Sequence, residues 1–177
     1  MRHFPFSRLR EKVAEGRMRV LAPEVTMMRL IYGNDETVAA FVASRIPFCV
    51  TRGFDQFSAI GVARDEQLVG GFVFHDYAPE FGVIELSFAS ADPRWLTRPV
   101  LYGVFSYVFD AMGCQMACSR TPASLSPALR MLRAYGFKQV TVPRLFGREE
   151  GGIISTLTIE DWKSNGFHRS RSLQPKG

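Results

Sequence analysis

The apolar and polar positions of this chain change period several times, and each change marks an element. Residues 25–32 mix Thr, Met, Leu, Ile and Tyr in a strand-like run that stops at Gly33. Asn34-Asp35-Glu36 then reads as a cap, and Val38, Phe41, Val42 and Ile46 follow at helical spacing until Pro47. Residues 58–63 and 67–75 are two further strand-like runs, and the polar Arg64-Asp65-Glu66 between them predicts a hairpin. A turn at residues 78–82 leads into Val83-Ile84-Glu85-Leu86-Ser87-Phe88-Ala89, where alternation puts Glu85, Ser87 and Ala89 on one face. Three strands joined by short turns make an antiparallel meander.

The second half has a different rhythm. Asp92-Pro93-Arg94-Trp95-Leu96-Thr97-Arg98-Pro99 interrupts the strand pattern. Val100, Leu101, Val104, Phe105, Val108 and Met112 then trace one helical face up to Gly113, with Thr97 as the cap. Residues 115–119 form a short strand reached through that helix, so it should pair in parallel with the strand before it. Ser126-Pro127 reads as a cap and first turn for a helix ending at Gly136, and residues 138–142 and 153–159 are the last two strands. The reading is a single α/β (α+β) domain. It has a mixed sheet of six or seven strands, an antiparallel N-terminal meander, a central parallel pair and flanking helices.

Composition alters this picture little, but charge divides the chain. Residues 1–19 carry a net +4 and residues 163–177 another +4; the whole is +5, so residues 20–162 hold −3. The division is therefore a basic extension at 1–24 with a short helix over 7–15, a folded domain at 25–162, and a basic, disordered tail at 163–177. The two ends could draw a polyanion such as nucleic acid, although the acidic middle argues against a dedicated nucleic-acid module. No apolar run approaches the roughly 18 residues of a membrane span, and the N-terminus has no secretory apolar core, so a cytoplasmic protein is expected. Cys49, Cys114 and Cys118 are odd in number and His3, His75 and His168 are scattered, which suits reduced thiols and no metal.

A strand that feeds a loop at a helix N-terminus collects backbone N–H groups where an anion can sit, and this loop holds Arg94 and Arg98. Glu85 is the first candidate base, because a carboxylate in mid-strand is costly to bury without a partner or a task. His75, at the end of the preceding strand and followed by Asp76 and Tyr77, could approach Glu85 across the hairpin, and imidazole has a suitable ordinary pKa. Tyr77, Tyr107 and Tyr135 are conceivable acids, and Cys118 reads as a structural thiol.

The strand 84–89 running into Asp92-Pro93-Arg94-Trp95, Thr97-Arg98 at the helix start, Phe105-Ser106-Tyr107-Val108-Phe109, Gly113-Cys114, Ser126-Pro127-Ala128-Leu129 and Ala134-Tyr135-Gly136-Phe137 occur in an order that resembles the GNAT N-acyltransferases, in particular a phage-associated bacterial branch. The resemblance covers residues 25–162. It implies that the central parallel strands splay and that the pantetheine arm of acetyl-CoA lies in the gap along Phe88, Ala89, Ser90 and Ala91. The pyrophosphate would then sit on the loop Arg94, Trp95, Leu96, Thr97 and Arg98. It also implies direct transfer of an acetyl group to an amine of an unidentified small molecule or protein, with Glu85 as base, His75 in reserve and no metal. Homodimers are common among such folds. The family's glycine-rich phosphate loop is replaced by positions holding Thr97 and Pro99, or Pro99 and Leu101; Leu125 stands for its Asn and Leu132 for its acidic Tyr. Those departures keep open a second reading, a GNAT-fold binding or assembly protein without catalysis.

Overall fold

The computed structural model describes residues 27–167. The expected helix over 7–15 and most of both basic ends lie outside the described residues.

Seven strands form one sheet in the order β1-β2-β3-β4-β5-β7-β6: β1 Met28–Ile31, β2 Phe57–Arg64, β3 Gln67–Ala78, β4 Val83–Ser90, β5 Met116–Pro122, β6 Lys138–Val142 and β7 Gly152–Thr158. The helices are α1 Asp35–Ala43, α2 Arg98–Ser106, α3 Ser126–Tyr135 and α4 Ile159–Ser164. The predicted meander is present as the antiparallel pairs β1–β2, β2–β3 and β3–β4. Asp65 and Glu66, both at positive φ, make the tight turn between Arg64 and Gln67 that suits the twist of a two-residue hairpin. The predicted parallel pair is also present, with β4 and β5 joined through the α2 crossover.

Alternation along β3 and β4 sorts the core into two layers. Phe72, Phe74, Ile84 and Leu86 face α2, where Val100, Leu101, Val104, Phe105 and Val108 bury the predicted stripe. Val73 faces the opposite way, against Val38, Ala39 and Val42 of α1. The close approach of α1 depends on Gly71, where an added Cβ would lie 2.6 Å from a Val38 methyl. Each layer removes a continuous apolar surface from water, which is the main source of cohesion. No helix among the described residues is long and apolar enough to cross a membrane.

Several local expectations change. The helix after Thr97 does not run regularly to Met112: its last turn, Tyr107–Ala111, is a π-turn, and Met112 N–H donates to the Tyr107 carbonyl. Ser126 is not the cap of α3. It is the first helical residue, its N–H bonds the Ser124 carbonyl, and Leu125 occupies the cap position without a side-chain bond. Past Trp162, α4 runs to Ser164, capped by Thr158, and the Phe167 ring packs 4.8 Å from that of Tyr135, while residues 168–177 of the expected tail lie outside the described residues. Polarity alone hid this helix, because only Trp162 of its six residues is buried.

Candidate active site

The β4–β5 pairing is short. Val83, Ile84 and Glu85 face Met116, Ala117 and Cys118, and beyond Glu85 the register is not continued, although β4 runs to Ser90 and β5 to Pro122. The two strands keep their other neighbours, β3 and β7, so a wedge opens in the middle of the sheet.

At its vertex lies a cavity of about 880 Å³. β3 and β4 contribute His75, Asp76, Glu85 and Ser87, and β5 contributes Arg120. The segment after α1 (Phe48 to Gln56) and the β6–β7 loop (Leu145, Phe146) form its rim. Phe48 and Phe146 touch across that rim, ring centroids 5.1 Å apart.

The polar groups form one connected set. His75 and Glu85 are cross-strand partners, as the hairpin predicts. Glu85, with a side chain 13% exposed, accepts a 2.8 Å hydrogen bond from Arg120 Nε, and Arg120 Nη2 is 3.6 Å from Asp76 Oδ2. His75 Nδ1 is 3.0 Å from the same Asp76 oxygen, and its Nε2 is 2.9 Å from Ser87 Oγ. The Phe54 ring lies 5.0 Å from the imidazole and holds its plane. Hydrogen bonding to Glu85 pushes the Arg120 guanidinium still higher, so it stays a cation. Burial, with the Glu85 charge second, pushes the Cys118 thiol up to about 11 and removes it as a thiolate nucleophile.

His75, Asp76 and Glu85 lie close enough together to ligate a cation. Arg120 already bonds the Glu85 oxygen and approaches the Asp76 oxygen, so the acidic groups have a counter-charge from within the chain.

The residues assigned to the cofactor lie beyond the cavity, which reaches along β4 only as far as Ser87. Much of the loop's hydrogen bonding is internal. Ala91 N–H donates to Val69 O, Asp92 N–H to Ser90 Oγ, Arg94 N–H to Asp92 Oδ1, Trp95 N–H to Asp92 O and Thr97 N–H to Trp95 O. Pro93 and Pro99 have no N–H to give. Asp92 is further tied to Arg64. Trp95, 6% exposed, lies on Gly70 and against Phe72 at 4.8 Å, while Phe88 faces it at 6.5 Å. Leu96 packs on the same core. Thr97 caps α2, accepting from Val100 N–H at 3.4 Å. The Arg94 side chain is 80% exposed, whereas Arg98 turns to the Gly166 carbonyl at 3.5 Å and the Phe167 ring.

Neither a family model nor a curated protein matches the sequence. Solved structures do match the fold. A chimera of the Vibrio cholerae spermidine N-acetyltransferase SpeG and hSSAT superposes with a TM-score of 0.63 at 9% identity, covering 77% of this chain and 98% of its own. The yncA structure from Salmonella typhimurium, solved with its cofactor acetyl-CoA, superposes at 0.58 with 13% identity, covering 74% and 93%. The chain has a GNAT fold. It spans only 60%, 62% and 64% of three other matched structures, one of them from T. thermophilus. At these identities the likeness concerns architecture.

Within the GNAT-like fold the wedge opens between β4 and β5, the central parallel strands that the resemblance expects to splay. Of the residues singled out from sequence, Glu85, His75, Tyr77 and Tyr107 come together around the cavity. Tyr135 does not: it is buried against Phe105 at 4.7 Å, and burial pushes its hydroxyl up to about 12. Leu132 is buried in the core and Leu125 is exposed, so neither supplies a polar group to the site. Sequence reading missed Arg120 and gave Ser87 no role. Arg120 follows once the parallel register sets Cys118 beside Glu85, because alternation along β5 then carries the same face to residue 120, one position past the expected end of the strand.

Proposed function

We propose that this chain is an acetyl-CoA-dependent N-acetyltransferase that passes an acetyl group directly to an amine bound in the cavity at the wedge vertex. The observation that carries the proposal is the parting of β4 and β5 immediately after Glu85 and Cys118, above a cavity that already holds titratable groups. The acyl-pantetheine arm would lie along Phe88 to Ala91, with the phosphates near Arg94, Trp95, Leu96, Thr97 and Arg98. Glu85 would take the amine proton through water, and His75 beside it is the second acceptor. Tyr107, whose hydroxyl bonds Ser58 at 3.0 Å, lines the cavity with Tyr77 and is a phenol that would protonate the departing thiolate. The acceptor amine is small enough to enter between Phe54 and Phe146, or is a chain end presented there.

Thermal unfolding with acetyl-CoA tests the first requirement: a ligand at 100 times its Kd stabilises by about 2.7 kcal/mol. An unshifted transition at millimolar acetyl-CoA refutes the proposal. Thiol release over an amine panel with Glu85→Gln tests the base, and unchanged turnover removes Glu85 from that role.

A second reading is favoured by the loop. The amides of Ala91, Asp92, Arg94, Trp95 and Thr97 are spent on bonds within the fold, and an anion must compete for them. On that reading the chain is a non-catalytic binding or assembly component, for a phage particle or a nucleoprotein, and its basic ends supply polyanion contact. Absence of acetyl-CoA binding together with salt-sensitive DNA binding would support it.

A further inference from the structure

We infer that Ser87, His75 and Asp76 form a serine nucleophile relay, so that Ser87 can accept an acyl group from an activated ester or thioester and pass it to water. This activity is additional to the proposed acetyl transfer and does not rest on acetyl-CoA being the donor.

The three side chains are in line. Ser87 Oγ is 2.9 Å from His75 Nε2, and His75 Nδ1 is 3.0 Å from Asp76 Oδ2. With the carboxylate accepting from Nδ1–H, the lone pair of Nε2 faces the serine hydroxyl, the tautomer a general base needs. The His75 side chain is 10% exposed and its ring lies against Phe54. Ser87 is half-buried and borders the cavity, so an acyl group bound there has both room and access to the hydroxyl.

Asp76 is the most telling member. In a regular strand it would project to the face opposite His75. Instead its φ is +49°, and the β3–β4 register shifts between His75 and Ala78. The bulge turns the carboxylate back onto its own neighbour's ring. A non-glycine residue in the left-handed region is strained, and such conformations gather where a side chain must be aimed. The charged groups sharing the cavity with this triad are Glu85, Arg120, Arg52 and Asp55; Arg120 Nη2 stands 3.6 Å from Asp76 Oδ2 and leaves the imidazole bond in place.

Beyond Glu85, β4 has β3 on one side and the wedge on the other, so alternate N–H groups of residues 86–90 point into the opening. These are the donors available to a developing oxyanion.

The chemistry balances without an added reagent. Nε2 takes the Ser87 proton as Oγ bonds the carbonyl carbon; the bond to the alcohol or thiol breaks, and that group leaves with the proton. Water, deprotonated by Nε2, then attacks the acyl-serine, the ester bond to Oγ breaks, and Oγ recovers its proton. The products are a carboxylic acid and the alcohol or thiol.

The test is turnover of p-nitrophenyl acetate by the full chain, with intact-mass and peptide mapping after acid quench. The wild type should release p-nitrophenolate above the buffer rate and carry one acetyl group on Ser87. Ser87→Ala and His75→Gln should each lose at least about a hundredfold in rate. Ser87→Cys should still take up the acetyl group, as a thioester, which shows that the fold and pocket persist. Asp76→Asn should lower kcat with KM unchanged, and Asp76→Glu should recover part of it, a split that a merely structural role would not give. Ser87→Ala turning over at the wild-type rate, or an acetyl group found on another residue, would overturn the inference. Ester turnover that depends on Ser87, without any acetyl-CoA shift, would retain the relay and remove the cofactor proposal.

Discussion

Gly70→Ala should destabilise the protein through a side chain that is not its sequence neighbour. A Cβ at Gly70 would stand 2.3 Å from Trp95 Cε3 and 2.9 Å from Cδ2 and Cζ3. Those separations are more than an ångström short of contact at the first atom, so the indole must retreat. It has little room: Phe72 lies 4.8 Å away on the same face, and Trp95 is held in a loop pinned by the Asp92–Arg64 ion pair and the Ala91–Val69 bond. Overpacking of this kind costs about 1–3 kcal/mol. The hemmed-in indole puts the cost in the upper part of that range, about 2–3 kcal/mol, and because the backbone at Gly70 is not left-handed alanine recovers about 0.4–1 kcal/mol from the unfolded chain, leaving a net loss of about 1–2.5 kcal/mol. For a domain of this size that is a fall of roughly 3–8 °C in Tm. The assay is thermal unfolding by circular dichroism, with tryptophan fluorescence as a second probe. Trp95→Leu in the same background supplies the control. Alone it should destabilise by loss of a buried ring; combined with Gly70→Ala it should regain at least about 1 kcal/mol over additivity, because the two residues contend for one volume. A Gly70→Ala protein as stable as wild type, or a strictly additive double variant, would refute the reasoning.

Thr97→Ala removes the cap of α2 and should cost about 0.5–1 kcal/mol, the lower range because the bond to Val100 N–H is long, read as a shift in denaturant midpoint at unchanged slope. With a thiol value near 11, Cys118 should resist iodoacetamide at pH 8, where only about 0.1% is thiolate, and become labelled as pH rises; fast labelling at pH 8 would contradict the buried environment. The Asp161 carboxyl is held below its ordinary 3.8, chiefly by the hydrogen bond from Lys138. A depressed carboxylate contributes stability above its ordinary value and loses it as pH falls through the folded one. Tm should therefore drop as pH falls below about 4, and less so in Asp161→Asn; equal acid sensitivity in both proteins would exclude this pair as a cause.

Local patterns and short-range order carried the meander, the crossover helix and the parallel strand in the sequence, because alternation, helical spacing and turn residues are properties of neighbours. The pairing of His75 with Glu85 was legible for the same reason: a short hairpin sets the register. Ser87 joined to His75 was not, since a serine facing a cavity and one facing a helix read alike in a strand. Asp76 is harder still, as its side-chain direction depends on a bulge that strand alternation contradicts. The self-bonded loop could not be seen either. Sequence shows that glycines are missing and that two prolines lack donors, but not that Val69, Ser90, Asp92 and Trp95 take up the amides of Ala91, Asp92, Arg94, Trp95 and Thr97.

The short contact between β4 and β5 gives the sheet two inner borders besides the outer ones on β1 and β6. An unpaired border at the outside of a sheet is an aggregation hazard, since any extended chain can dock along it. The inner borders escape that hazard by shape. They converge on a closed vertex at Glu85 and Cys118, so a passing strand cannot lie flat along either one, while a slender chain carrying amides can enter end-on. The wedge thus acts as a size filter on hydrogen-bonding partners. In hydrogen exchange, the amides of β4 beyond Glu85 that face the wedge should exchange like a rim although they sit at the centre of the fold, and should become protected only when the filter is filled.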